Sequence, residues 1–241
     1  QNQGQVSTAQ RIAVSIDWSK TQIGLNQGEV HIQGTGWGGA KVQVSAFKPS
    51  SAATTGFVEA DGYIALEAAS AEVGGNTADA RWQRLKGFGH SDAAMVALTK
   101  QDYQPDVANI RQAPYLEYPL YFHSTGQVML HSKVAPTLQL LPGRKLRFAV
   151  ALDDAQPVIV DTLPDSSEQS WQQAVLDGSR TLKTPLHIKQ SGVHRLRIYL
   201  LDPAVVLHKL LLDTGGLQPS YLGPPQSPYL TNGAPAINGA Q

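Results

Sequence analysis

Apolar and polar residues alternate one for one along several stretches of this chain, a period of two that marks strands with one buried face. In the first fifth the runs Arg11-Ile-Ala-Val-Ser-Ile-Asp-Trp18, Glu29-Val-His-Ile-Gln-Gly34 and Ala40-Lys-Val-Gln-Val-Ser-Ala-Phe47 all alternate, separated by Gly24, Gly28 and a glycine cluster at 34–39. They predict a three-strand segment. Three strands do not close a sandwich, which takes about seven. This segment is therefore expected to pack on the next domain or to be the end of a domain that starts further upstream. Residues 50–55 lose the alternation in a Ser/Ala/Thr run after Pro49 and read as a linker.

Beyond the linker, two strand-like runs flank Asp61-Gly62, a turn pair, and residues 71–79 read as a loop. Further strands are predicted at 95–99, 115–122, 126–132, 146–153, 194–201 and 205–213. They are punctuated by Pro114, Gly126, Pro136, Pro142-Gly143, Asp153-Asp154 and Asp202-Pro203. Strands at such intervals, broken by proline and glycine, predict an all-β sandwich or jelly roll rather than a parallel sheet. One short helix is predicted at 167–178, with Ser167 as its cap, Glu168 in its first turn and Gly178 as its stop. Trp171 is expected to dock that helix on the sandwich. The proline-rich tail after Gly215 is expected as extended coil, with residues 226–241 disordered.

Composition removes several functions. Nineteen basic side chains balance nineteen acidic ones, so no net field draws the protein to nucleic acid or to an anionic membrane. The apolar runs are too short to cross a bilayer, and the first residues lack the form of a signal peptide. Cysteine is absent, which removes disulfides, thiolate metal sites and cysteine nucleophiles. The seven histidines show no metal-binding spacing, and no serine stands in a Gly-x-Ser-x-Gly elbow. A glycosidase pair would need two carboxylates across a cleft. The candidates are Asp153, Asp154, Glu117 and Asp202, but Asp153-Asp154 reads as a turn, since adjacent strand residues face opposite sides. No catalytic residue is assigned.

Certain runs carry more than a fold class. Gly56-Phe-Val-Glu-Ala-Asp-Gly-Tyr63, Trp82-Gln83, Gly87-Phe-Gly89, Ala113-Pro-Tyr-Leu-Glu-Tyr118, Ser124-Thr-Gly-Gln-Val128, Ala135-Pro-Thr-Leu138, Leu146-Arg-Phe-Ala-Val150, Trp171-Gln-Gln-Ala-Val175 and Asp202-Pro-Ala-Val-Val-Leu207 occur in that order. The longest is Leu212-Asp-Thr-Gly-Gly-Leu-Gln-Pro-Ser-Tyr-Leu-Gly-Pro-Pro225. Together they resemble the C-terminal β-sandwich domain of glycoside hydrolase family 115 xylan α-1,2-glucuronidases. Residues 11–49 resemble the end of the immunoglobulin-like linker domain that precedes it.

The resemblance implies a galactose-binding-like jelly roll over 56–225, preceded by a partial immunoglobulin-like segment over 1–49. It implies an accessory domain of an enzyme that removes glucuronic acid or its 4-O-methyl form from xylan, with the catalytic domain upstream and the protein secreted or periplasmic. In sandwiches of this kind the loops at 87–92 and 201–205 meet at one end, which makes His90, Asp92 and Asp202 the polar candidates for glycan contact and Trp82 the aromatic one. A strand tryptophan in the core is the alternative for Trp82. Arg81, Arg84 and Lys86 are the local basic cluster that an acidic glycan such as glucuronoxylan would need. Related modules hold a structural calcium with the second carboxylate of Glu-Ala-Glu. This chain has Glu67-Ala68-Ala69, so calcium is disfavoured and no cofactor is expected. The rival role is structural: a domain that shields the catalytic body or forms a homodimer through its proline-rich tail and the apolar run Leu210, Leu211 and Leu212.

Overall fold

The computed structural model describes residues 14–34, 36–48, 55–89, 92–139, 145–165, 167–231 and 234–235. The chain divides into two compact units, Gln1–Ser50 and Ser51–Gln241.

In the first unit, β1 (Gly24–Gly34) pairs antiparallel with β2 (Trp37–Lys48), in register from Gly24 opposite Lys48 to Ile32 opposite Ala40. The third strand expected over 11–18 is not formed by its described residues. Asp17 accepts from the Ser19 amide and hydroxyl, a local turn that competes with pairing. Lys48 Nζ then donates to the Trp18 and Thr21 carbonyls at 2.7 and 3.0 Å, folding this stretch back on the hairpin's end.

The second unit is a sandwich of two sheets. Its strands are β3 (Gly56–Val58), β4 (Tyr63–Glu67), β5 (Glu72–Gly74), β6 (Ala80–Lys86), β7 (Ala93–Thr99), β8 (Tyr115–Phe122), β9 (Gly126–Val134), β10 (Arg147–Leu152) and β11 (Val158–Asp161). After α1 (Glu168–Leu176) come β12 (Arg180–Ile188), β13 (Gly192–Leu200), β14 (Val206–Asp213), β15 (Tyr229–Thr231) and β16 (Ala234–Pro235). One sheet runs β11-β10-β13-β8-β3-β15-β16, with β5 also on β8; the other runs β12-β9-β14-β7-β6, with β4 on β14.

Alternation decides the core. β8 buries every second residue, and Leu116, Tyr118, Leu120 and Phe122 meet Phe148, Val150, Leu196 and Ile198 on their own sheet and Leu130, Leu207, Leu210 and Leu212 on the facing one. Each such side chain contributes about 1.5–3 kcal/mol on leaving water. Tyr118 stays in this apolar layer because its hydroxyl donates to the Ala68 carbonyl at 2.7 Å. The run Leu210, Leu211 and Leu212 is 0–4% exposed in the interior strand β14. It is core, and no docking edge.

The Asp61-Gly62 turn forms as expected, with both residues at positive φ. It carries the chain from one sheet to the other, since β3 pairs with β8 while β4 pairs with β14. Here the two ends of the unit interlock. The Thr214 and Gly216 amides donate to the Gly62 carbonyl at 2.9 and 3.1 Å. A Cβ on Gly216 would stand 1.8 Å from the Asp61 carbonyl oxygen, so only glycine fits. Beside them the buried Glu59 carboxylate accepts from the His123 and Ser124 amides at 2.9 Å each and from the Thr214 hydroxyl.

The tail is more ordered than its composition predicts. Residues 217–225 form a strap over the outer face of the second sheet, where Lys209 Nζ donates to the Leu222 and Pro224 carbonyls and a Cβ on Gly223 would meet the Lys209 and Leu211 side chains. Gln226 then accepts from the Glu67 amide and the Ser70 hydroxyl, and Ser227 exchanges hydrogen bonds with the Ala65 backbone at 2.8 and 2.9 Å. These contacts satisfy the open edge of β4. β15 follows on β3, with Tyr229 edge-on to Phe57. Disorder expected from 226 is thus corrected for 226–231; residues 232, 233 and 236–241 lie outside the described residues. Ser167 caps α1 as predicted, accepting from the Ser170 amide. The helix buries Ala174, and Trp171 is 37% exposed.

Candidate functional site

Of the four residues proposed for glycan contact the structure describes three, Trp82, Asp92 and Asp202, each in a different setting. Trp82 is 2% exposed, in the core, and its backbone is fixed on both sides by the Asn76 side chain. The packing alternative describes it. Asp202 is also buried: its carboxylate accepts from the Arg147 amide at 3.0 Å and from Arg147 Nε at 2.7 Å, tying the end of β13 to the start of β10. That pairing raises the Arg147 pKa above its ordinary value, chiefly through the Asp202 hydrogen bond. Asp92 is fully exposed, 3.9 Å from Arg84 across the β6–β7 turn. His90 lies outside the described residues. The 201–205 segment is hydrogen-bonded to Ala97 within β7.

The basic cluster divides as well, because Arg81 lies on the opposite face of β6 from Arg84 and Lys86. Asp153 stands in a turn at φ 51°, accepting from the Arg195 amide and from His194. Glu117 is paired with Arg197. Among the described residues no three acidic or imidazole side chains gather as a metal site. The cation beside Glu67 is Lys209, 3.0 Å away.

A different site takes shape where α1, the start of β12, the end of β9 and the strap converge around a cleft of about 560 Å³. At its base Lys133, 9% exposed, donates from Nζ to the Tyr221 carbonyl at 2.8 Å. Lys209 stands opposite it across the strand pair and donates to the Leu222 and Pro224 carbonyls at 3.3 and 2.9 Å. Two lysines of one sheet thus hold the strap by its carbonyls. Burial, and next the charge of Lys209, pull the Lys133 pKa below the usual lysine value.

Arg180 lines the same cleft and donates from Nη1 to the Thr162 carbonyl at 2.6 Å. The helix supplies Ser170, Gln173 and Asp177, Ser179 adds a hydroxyl, and Tyr221, 64% exposed, forms part of the rim. Cations, hydroxyls, an amide and an exposed aromatic around one concavity can orient a polar, hydroxyl-rich ligand. Sequence reading did not assemble this site. Lys133 sits in an ordinary alternating strand, Arg180 opens a strand that was not predicted, and Tyr221 belongs to the tail. The available signal was the long motif at 212–225, which forms the strap.

Two facing sheets tied by a strap, with a polar cleft at one rim, make an all-β sandwich. Residues 56–226 match the Glycosyl hydrolase family 115 C-terminal domain, and the chain belongs to that family. No curated protein matches it. Among solved structures it is similar to a family GH115 4-O-methyl-α-glucuronidase with specificity for decorated arabinogalactans, at 22% identity and TM-score 0.47 over 61% of this chain and 17% of that one. It is also similar to a GH26-CBM35 β-(1,4)-mannanase of Podospora anserina, at 12% identity and TM-score 0.43 over 66% of this chain and 29% of that one. A family 35 carbohydrate-binding module from Clostridium thermocellum aligns at 12% identity and TM-score 0.40, over 62% of this chain and 96% of the module. The chain thus spans about 17% of the glucuronidase it resembles.

Proposed function

We propose that this chain is an accessory part of a xylan α-1,2-(4-O-methyl)glucuronidase, and that its sandwich helps to hold glucuronoxylan through the cleft at Lys133, Arg180 and Tyr221. Family membership supports the enzyme context, with a catalytic domain upstream as the partner. The cleft carries the binding reading, because it gathers the polar groups and the exposed ring that saccharide recognition uses. A polymeric plant substrate places such an enzyme outside the cytoplasm, secreted or periplasmic.

The test is calorimetric titration with 4-O-methylglucuronoxylan oligosaccharides. Saturable heat is expected, and its absence at millimolar ligand would reject glycan binding. A structural role in contacts with neighbouring domains or a second copy is the other reading. Its support is the hairpin face of Val30, Ile32, Ala40, Val42 and Val44, none of which is buried. A two-stranded ribbon with an apolar face is stable only when something covers it.

A further inference from the structure

The second sheet ends at β12 on one side and at β6 on the other. An edge strand presents unpaired peptide groups, which proteins cover or blunt. The first half of β6 is covered by its own chain. The Thr77 amide donates to the Ala80 carbonyl at 2.8 Å, and the Ala80 amide donates to the Thr77 hydroxyl at 3.0 Å. Asn76 takes both peptide groups of Trp82, accepting from its amide at 3.0 Å and donating to its carbonyl at 3.2 Å. The cover stops there. At the two ends of the β6–β7 ladder the Lys100 amide donates to the Asp79 carbonyl and the Gly87 amide to the Asp92 carbonyl, in a single register. Hydrogen-bonded pairs alternate along such a ladder, so odd-numbered residues from 79 to 87 turn their peptide groups to β7 and even-numbered ones turn theirs away. Arg84 and Lys86 therefore point their N–H and C=O groups out of the sheet, and among the described residues no strand lies beside them.

The side chains decide what fits there. Arg84 and Lys86 share one face of the strand and both are exposed, while Leu85, 36% exposed, lies on the other face. A second copy of β6 is excluded, because antiparallel pairing about Leu85 sets Arg84 against the copy's own lysine, and like charges directly opposite are destabilising. The nearest acid, Asp92, stands 3.9 Å from Arg84 with both side chains in solvent, a contact that contributes little. Cations on an edge repel a basic strand and attract an acidic one. We propose that the outer half of β6 is a docking edge for an extended segment of a protein partner in which acidic and apolar residues alternate. The segment adds as a further strand. Its main chain takes the peptide groups of Arg84 and Lys86, its carboxylates meet the two cations, and the apolar residue between them covers Leu85. This edge is separate from the cleft, which lies at the β12 side of the same sheet, and it does not depend on glycan binding.

The experiment follows the fluorescence anisotropy of a labelled seven-residue peptide of alternating glutamate and valine, and of the same peptide with lysine in place of glutamate. The glutamate peptide is expected to saturate and the lysine peptide to bind at least about 10-fold more weakly. Joint substitution Arg84→Gln with Lys86→Gln should erase that preference. Lys86→Pro removes the outward N–H along with the charge and leaves the ladder to β7 intact. It should bind the glutamate peptide roughly 2- to 10-fold more weakly than Lys86→Gln, the worth of one hydrogen bond; melting curves of the variants separate this from unfolding. Equal binding of the two peptides to the wild type, or a preference that survives the joint substitution, overturns the acidic partner. Equal affinity of Lys86→Pro and Lys86→Gln overturns strand addition. If the glutamate peptide does not bind at millimolar concentration the docking edge is rejected, whatever the glycan titration shows.

Discussion

Glu59→Ala tests whether the junction between the two ends of the sandwich carries the weight that its geometry assigns. The carboxylate is buried and accepts two backbone amides and the Thr214 hydroxyl. Truncation leaves three donors with no acceptor in a site closed to water. Each orphaned group costs about 1–3 kcal/mol, and partial relaxation brings the expected loss to about 3–5 kcal/mol. For a unit of this size that corresponds to a fall in Tm of roughly 10 °C. Urea denaturation followed by tryptophan fluorescence gives the loss directly. A cycle with Thr214→Val should show a coupling of about 1 kcal/mol or more, because the two side chains share one hydrogen bond. A loss below about 1 kcal/mol, or an additive cycle, would refute the claim that Glu59 joins the early motif to the late one.

Other consequences can be checked alongside. Lys209→Met removes the cation from Glu67 and the donor from the Leu222 and Pro224 carbonyls. The expected cost is about 3–5 kcal/mol, with faster proteolysis at 217–225 seen by mass spectrometry; an unchanged cleavage pattern would count against the clamp. Asp202→Asn keeps the shape but loses the charged partner of Arg147; stability should fall by about 1–3 kcal/mol while glycan titration is unchanged. The His131 pKa is drawn below its ordinary value, first by burial, then by Lys183 and Lys133, against an opposing pull from Asp213. The folded state therefore binds that proton more weakly than the unfolded chain. Its contribution is intact above a pH of about 6.5 and is lost as pH falls through the lower folded value. His131→Gln should lose less stability than the wild type from pH 7 to 5 in urea melts; parallel curves would reject the assignment.

The parts of the fold that were legible in the sequence are those where one physical rule acted alone. β8 reads directly from Tyr115 to Phe122 because its alternation is unbroken and both ends are punctuated. β12 escaped notice because Pro185 interrupts it, and a proline argues against a strand unless that strand is an edge. β12 is an edge, with only β9 beside it. β11 is short and shows Val158 and Ile159 half to solvent, so its pattern is weak. Conversely, alternation over 11–18 met a local turn at Asp17 that pattern alone does not weigh. The site was less legible for a reason of another kind. Trp82 and Asp202 attract attention by residue type, but burial depends on which face of which strand they occupy. Lys133 looks like any surface lysine until the strap is laid over it.

That strap also bears on how the unit is made. Its closing contacts join residues far apart in the chain: Ser227 reaches Ala65 across 162 positions and Thr214 reaches Glu59 across 155. Contacts of such separation form late, because the intervening loop must be closed before they return any stability. During synthesis the first strands must therefore wait, unpaired along the edge of β4 and open at the Gly62 turn, until residues past Ser227 have left the ribosome. A nascent chain held a few residues short of that point should remain protease-sensitive, and release of the last segment should convert it to the resistant form.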